Sequence, residues 1–209
     1  MVRRPIRALT PWHQNDGVTE GPRPWKRVRT VRSEEDYEIL RVRVDAFADP
    51  RDGSEHPRVI IDADEWANVV ALTPDDHVVM VRQWRFGSQA SGLEIPGGVV
   101  DKDETPERAA LRELEEETGY RPASIEPIGW VWPNPAHFTN KQHTFLARGC
   151  ERVHDGTPDG GEDLVVVLVP RSAVPDLLGS GQIRHALHIA ALSLAGIAGS
   201  ARSRDVGRG

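Results

Sequence analysis

The sequence holds a single cysteine, Cys150. One cysteine makes neither an intrachain disulfide nor a zinc-thiolate cluster, so a reducing compartment, the cytoplasm, is the expectation. No apolar run approaches the ~18 residues of a membrane-spanning helix, and no membrane partner is expected. The N-terminus starts Met1-Val2-Arg3-Arg4 but continues through Pro5, Pro11, Pro22 and Pro24, without the apolar stretch of a secretory leader. A basic excess is also missing: 26 Lys and Arg stand against 32 Asp and Glu, a formal net charge of -6. That argues against a nucleic-acid partner held on a basic face. It also means that an anionic substrate must be held by local cations or by metal. There is no internal repeat. What remains is a chain of 209 residues, 38% hydrophobic and 28% charged, long enough for one globular domain with an appendage.

Residues 1–24 are rich in proline and polar groups and read as a strap or tail, and residues 200–209 as a frayed end. Between them, strand signals come first. Ile39, Val42 and Val44 alternate with polar residues, Pro50 to Pro57 reads as a turn around Asp52-Gly53, and Val59-Ile60-Ile61 follows as a strand. Asn68–Leu72 and His77–Arg82 are two more strands, joined by the turn Thr73-Pro74-Asp75-Asp76. A helix is predicted over 105–118, with Thr105 as its cap, Pro106 at its first position and Gly119 ending it. Strands at Ile128–Trp132, Thr144–Ala147 and Leu164–Val169 come next, then helices near 172–178 and 183–198. Strands before, between and after helices indicate α/β layers.

The helix at 105–118 carries the chemistry. At ~100° per residue, with Glu113 as zero, Glu117 lies at about +40° and Glu116 at about -60°. Three carboxylates therefore share one arc, while Ala110, Leu111, Leu114 and Thr118 occupy an adjoining arc suited to packing on a sheet. Like charges at this spacing repel, and they crowd the C-terminal half, where the helix dipole disfavours anions. A hard divalent cation, magnesium or manganese, is the natural compensation. Arg112 can bridge to Glu116 one turn on, and to Glu104 in the preceding loop.

Written out, the segment is Gly98, five residues, Glu104, seven residues, Arg112-Glu113-Leu114, one residue, Glu116-Glu117, one residue, Gly119 and Tyr120. It resembles the Nudix box at every fixed position. It departs only at Tyr120, where a small aliphatic residue is usual. The resemblance implies an α/β/α sandwich around a mixed sheet, with an N-terminal antiparallel strand extension. Residues 65–199 would form the Nudix domain. It further implies hydrolysis of a nucleoside diphosphate linked to another moiety. By the same resemblance Glu113, Glu116, Glu117 and the Gly97 carbonyl are metal ligands, with magnesium as cofactor and manganese able to substitute. Arg112 and Glu104 tie the loop to the helix.

The branch is suggested by two further segments. Glu94-Ile95-Pro96-Gly97-Gly98 and Arg82-Gln83-Trp84-Arg85-Phe86-Gly87 are similar to those of ADP-ribose and nucleotide-sugar pyrophosphatases. Pro133-Asn134-Pro135-Ala136 and Thr139-Asn140 are close to a bacterial nucleotide-sugar hydrolase branch. A small nucleotide substrate is then implied, contacted by Arg82, Arg85 and Glu94. A homodimer formed through residues 25–64 is implied too. The alternatives are an ADP-ribose sensor without turnover, and a pyrophosphatase for another derivative such as coenzyme A. Relatives of this branch draw a general base from a loop corresponding to Asp155–Asp163. Glu162 is the choice there, with Glu116 or a metal-bound hydroxide as the other options and Arg112 completing the catalytic set. Trp25, Trp66, Trp84, Trp130 and Trp132 are candidates for stacking on a base but fit core or rim packing better. His137 and His143 read as surface or satisfied histidines, and Cys150 as inert.

Overall fold

The computed structural model describes residues 25–36, 40–157 and 164–199. The expected N-terminal strap, the C-terminal tail and Glu162 lie outside them. The chain runs β1 (Lys26–Asp36), β2 (Leu40–Ala48), β3 (Glu55–Ala63), β4 (Trp66–Leu72), β5 (His77–Arg85), β6 (Ala90–Glu94) and β7 (Gly97–Val99). Then come α1 (Pro106–Thr118), β8 (Tyr120–Arg121), β9 (Ser124–Val131), β10 (Gln142–Arg148), β11 (Glu151–Arg152) and β12 (Leu164–Pro170). A 3-10 turn over Arg171–Ala173 leads into α2 (Val174–Gly179), and α3 (Ala186–Leu194) follows.

The main sheet has the order β12-β5-β4-β10-β9, with β6 paired to β5 and β7 to β4. The pairing of β4 with β10 is parallel and the rest is antiparallel, which makes the sheet mixed. Its central strands are apolar on both faces, so the side-chain alternation of a strand feeds two cores. Ala67, Val69 and Ala71 of β4, Val79 of β5, and Phe145 and Ala147 of β10 pack against Ala109, Ala110 and Leu114 of α1. Val70, Val78, Met80 and Leu146 point the other way, to Val174, Ile183, Ala191 and Leu192. The result is a helix–sheet–helix sandwich. Tyr120 joins the α1 core, 7% exposed, so an aromatic ring fills the place of the usual small aliphatic residue.

Helix α1 is bounded as its sequence dictates. The Thr105 hydroxyl accepts from the Arg108 N–H at 3.3 Å, and Pro106 stands where an N–H would have no partner. Gly119 ends the helix in the left-handed conformation, φ 73°, and a Cβ there would run into the His154 carbonyl. Beyond it, Arg121 pairs with Glu115 at 2.6 Å and His154 lies 3.3 Å away. These partners, Arg121 first, hold the Glu115 carboxyl down at about 2. A carboxylate depressed in the folded state stabilises above its unfolded pKa and loses that stabilisation as pH falls towards about 2. Glu115→Gln should therefore lower the melting temperature slightly at pH 7, by less than about 1 kcal/mol for so exposed a pair. Its deficit against the parent should shrink steadily in melts run at pH values falling towards about 2.

Several boundaries differ from those read off the sequence. Strand β1 was not anticipated within the 25–64 region; it pairs antiparallel with β2, and β2 with β3. The turn expected over Pro50–Pro57 is confined to residues 49–54, because Glu55, His56 and Pro57 already pair with Ala48, Phe47 and Ala46. Strand β9 begins at Ser124 rather than Ile128. Among the described residues it pairs only with β10, with a register shift between Thr144 and Phe145, so Pro127 is tolerated in an edge strand. The helix expected over 183–198 is shorter. His185 keeps extended backbone, ψ 116°, and Gly196 turns left-handed at φ 70°.

In the three-stranded sheet the buried Asp45 carboxylate accepts from Arg27 at 2.6 Å, Arg43 at 2.9 Å and Thr30 at 3.1 Å. These partners, Arg27 above all, hold its pKa far below the ordinary carboxylate range. The sheet is fastened to the sandwich through β3. The Ile61 N–H donates to His137 O at 2.9 Å, Thr139 N–H to Ile61 O at 3.1 Å, and Asn140 Nδ2 to Asp64 O at 2.8 Å.

Candidate metal centre and substrate cavity

Strands β4 and β5 pair only at Ala71–Leu72 with Val78–Val79, then separate. The gap is filled by β6 along β5 and β7 along β4. The Val69 N–H donates to Pro96 O at 3.0 Å, which pins the connection between them. This wedge carries the Gly97-Gly98 backbone to α1. The Gly97 N–H donates to Glu117 Oε2 at 3.2 Å. A Cβ on Gly98 would overlap the Glu113 carboxylate, and one on Gly97 would strike the Ala67 carbonyl and Asn68. Gly97 is therefore required by the approach of backbone, while Gly98 lies against a side chain that can move.

Arg112 organises the carboxylates. Its guanidinium donates to Glu104 Oε2 at 3.0 Å, Glu113 Oε1 at 2.9 Å, Glu116 Oε2 at 3.1 Å and the Val99 carbonyl at 3.1 Å. Glu104 leads the surrounding carboxylates in raising its pKa further above an already high value. The i+4 bridge to Glu116 and the tie to Glu104 had been expected; the bond to Glu113 had not. Glu117 is 4% exposed, whereas Glu116 is far more open. Three carboxylates thus gather around one guanidinium, and Glu117 holds the glycine turn beside them. Hard oxygen donors in excess negative charge fit a magnesium-like ion. Glu113, Glu116 and Glu117, with Gly97 beside them, are the residues that would hold it.

On the side of Gly97 and Gly98 opens a cavity of about 850 Å³. Arg82, Arg85, Glu94 and Trp66 line it, so three of the polar residues expected to meet substrate share one wall. Arg85 and Glu94 are paired with each other, Nη2 to Oε2 at 2.7 Å. Among the described residues the other tryptophans do not line it: Trp130 and Trp132 pack edge to face at 4.8 Å, and Trp84 is half exposed. His143 pairs with Glu65, and His137 Nδ1 lies 3.2 Å from Val59 O. Burial pushes the Cys150 thiol up to about 11, so it stays protonated.

The cavity also contains residues that the sequence reading missed. Asn68 is 1% exposed and, among the described residues, neither of its amide atoms has a hydrogen-bond partner. Arg184 and His185 just before α3, and His188 in its first turn, also line the cavity. The two imidazole rings stack at 4.1 Å, and burial lowers the pKa of both. Histidines three apart at the head of an apolar helix were the available signal. A second hollow of about 430 Å³ lies beside Glu117, lined also by Arg152, Asp155 and Leu164. There the Thr157 N–H donates to the Glu116 carbonyl at 2.7 Å, just before residue 158.

The sandwich, the glycine wedge and the carboxylate helix form a site whose oxygen donors suit a divalent ion, and similarity to known proteins bears on its class. Residues 65–189 match the NUDIX domain family model. The chain is 32% identical over 126 residues to the methanol dehydrogenase activator of Bacillus methanolicus, covering 59% of this chain and 68% of that protein. It is 40% identical over 79 residues to the ADP-ribose pyrophosphatase of Bacillus subtilis, covering 38% and 43%. It is 31% identical over 138 residues to the GDP-mannose pyrophosphatase of Salmonella arizonae, covering 62% and 72%. In fold it is similar to the crystal structure of an ADP compounds hydrolase, with a TM-score of 0.74 at 21% identity over 85% of this chain and 95% of that one. The chain belongs to the Nudix family.

Proposed function

We propose that the chain hydrolyses the pyrophosphate bond of ADP-ribose or a related nucleoside diphosphate sugar, with magnesium held by Glu113, Glu116, Glu117 and Gly97. Water adds to one phosphorus and the bridging oxygen leaves with the other phosphate. The products are a nucleoside monophosphate and a sugar phosphate. The observation that carries this is a shared boundary: the glycine turn packed on the glutamates is also a wall of the arginine-lined cavity. When bound, the metal neutralises phosphate oxygens and lowers the pKa of a coordinated water. Glu117 and Glu113 are positioned by the Gly97 N–H and Arg112, so the acceptor set is organised before substrate arrives. Arg82 and Arg85 offer planar donors to the phosphates, and Glu94 fixes Arg85. Arg112 acts as a positioning residue.

Glu162 serves as the general base. Support comes from the chain on either side: Thr157 is bonded to the helix beside Glu116, and Leu164 borders the hollow at Glu117. Glu162→Gln should lower kcat on the order of 10²-fold while KM and metal affinity stay nearly constant. A change in KM alone would remove that role. Two copies associate through residues 25–64, and the enzyme works in the cytoplasm. A panel of ADP-ribose, GDP-mannose and other nucleotide sugars with magnesium, read by released monophosphate, tests the proposal. Tight binding of ADP-ribose with no monophosphate released would identify a sensor instead, and turnover of coenzyme A alone would move the chain to another branch.

A further inference from the structure

The inner wall of the cavity holds a group that the box chemistry does not use. Glu94, His185 and His188 each offer one ligand atom, and these atoms all lie within 4.8 Å of one another. His188 is 6% exposed, and among the described residues its Nδ1 has no hydrogen bond; it stands 3.5 Å from Glu94 Oε2. His185 Nδ1 is likewise inaccessible and without a hydrogen bond. Buried polar atoms are nearly always bonded. Two imidazole nitrogens beside one carboxylate, both unsatisfied, are a donor set without its acceptor. We propose that Glu94, His185 and His188 form a second metal site, distinct from the box glutamates, that takes a late first-row divalent ion such as zinc.

The donor types select the ion. Two imidazoles and one carboxylate suit zinc, whereas magnesium prefers an octahedron of oxygens. Three protein ligands leave a fourth position, which faces the cavity and is open to water or to an oxygen of whatever the cavity holds. Arg85 does not displace the ion. A carboxylate carries about four lone-pair sites, and Arg85 approaches Glu94 through Nε and Nη2, at 3.2 and 2.7 Å. Metal-bound carboxylates are ordinarily hydrogen-bonded from behind in this way. Binding requires the stacked rings, now 17° from parallel, to splay about the metal. This site stands or falls independently of the hydrolase reading, since neither the box glutamates nor turnover enters it.

The test uses the full chain, stripped with chelator and then saturated with magnesium to fill the box. Zinc is titrated by calorimetry, and cobalt by its visible absorption, which reports nitrogen ligation. One ion per chain is expected. His188→Ala and His185→Gln should each weaken it by at least about tenfold, while Glu117→Gln leaves it unchanged. Should His188→Ala fail to fold, His185→Gln at the less buried position decides. Absence of zinc binding in the magnesium-saturated parent overturns the site. So does affinity that survives His185→Gln, or affinity that is lost with Glu117→Gln instead.

Discussion

Glu117→Gln is expected to reduce kcat by about 10³–10⁴-fold at saturating magnesium while leaving the fold intact. Metal stabilisation of developing charge on phosphate is worth several kcal/mol, and about 1.4 kcal/mol corresponds to each factor of ten. Loss of the most buried carboxylate of the set removes much of it. The amide keeps an oxygen for the Gly97 N–H, which is 3.2 Å from Glu117 Oε2, so the wedge stays closed. It also removes one of the charges that repel along α1. Melting without metal should therefore be level or raised, and the rise produced by magnesium should shrink. Parent-like turnover in this variant would mean that Glu117 is not a ligand.

The two glycines of the wedge should fail in different ways. A Cβ on Gly97 meets backbone, the Ala67 carbonyl and the Asn68 Cα, and neither can yield without disturbing β4. Gly97→Ala should cost about 3 kcal/mol, a fall of about 6–12 °C in melting temperature for a chain of this size. A Cβ on Gly98 meets only the Glu113 carboxylate, which can swing aside. Gly98→Ala should fold within about 1 kcal/mol of the parent, yet lose about 10²–10³-fold in kcat because a metal ligand has been displaced. Equal losses of stability in both variants would show that the Glu113 side chain is as fixed as the strand backbone.

Much of this was legible beforehand, for identifiable reasons. Thr105, Pro106 and Gly119 are local signals, and they bounded α1 to the residue. The apolar runs at 68–72 and 78–81 revealed central strands because both faces are buried, so no polar alternation blurred them. The spacing from Gly98 to Gly119 brought forward the carboxylates and Arg112 together. What stayed hidden depends on contacts distant in sequence. Strand β1 is held by pairing and by the Arg27–Asp45 contact, not by an apolar period. Arg85 and Glu94 each looked like a substrate contact, and their mutual pairing appears only once β6 folds back on β5. His185 and His188 belong to the cavity because α3 packs on the face of the sheet opposite α1, and nothing near them in sequence mentions Glu94.

The parallel pairing of β4 with β10 sets the order in which this molecule can be made. Trp66 to Leu72 must wait for Gln142 to Arg148, so the partner of the central strand emerges from the ribosome only after the whole box has been synthesised. Ordering that pair closes a long loop, which slows folding compared with hairpins such as β2–β3. During the wait the β2–β3 hairpin and the β5–β6 hairpin can form from local sequence, while α1 can meet β4 and β5 but still lacks Phe145 and Ala147 of β10. The sheet under the carboxylate helix is therefore expected to be completed late, with the last of its apolar support arriving when β10 joins β4.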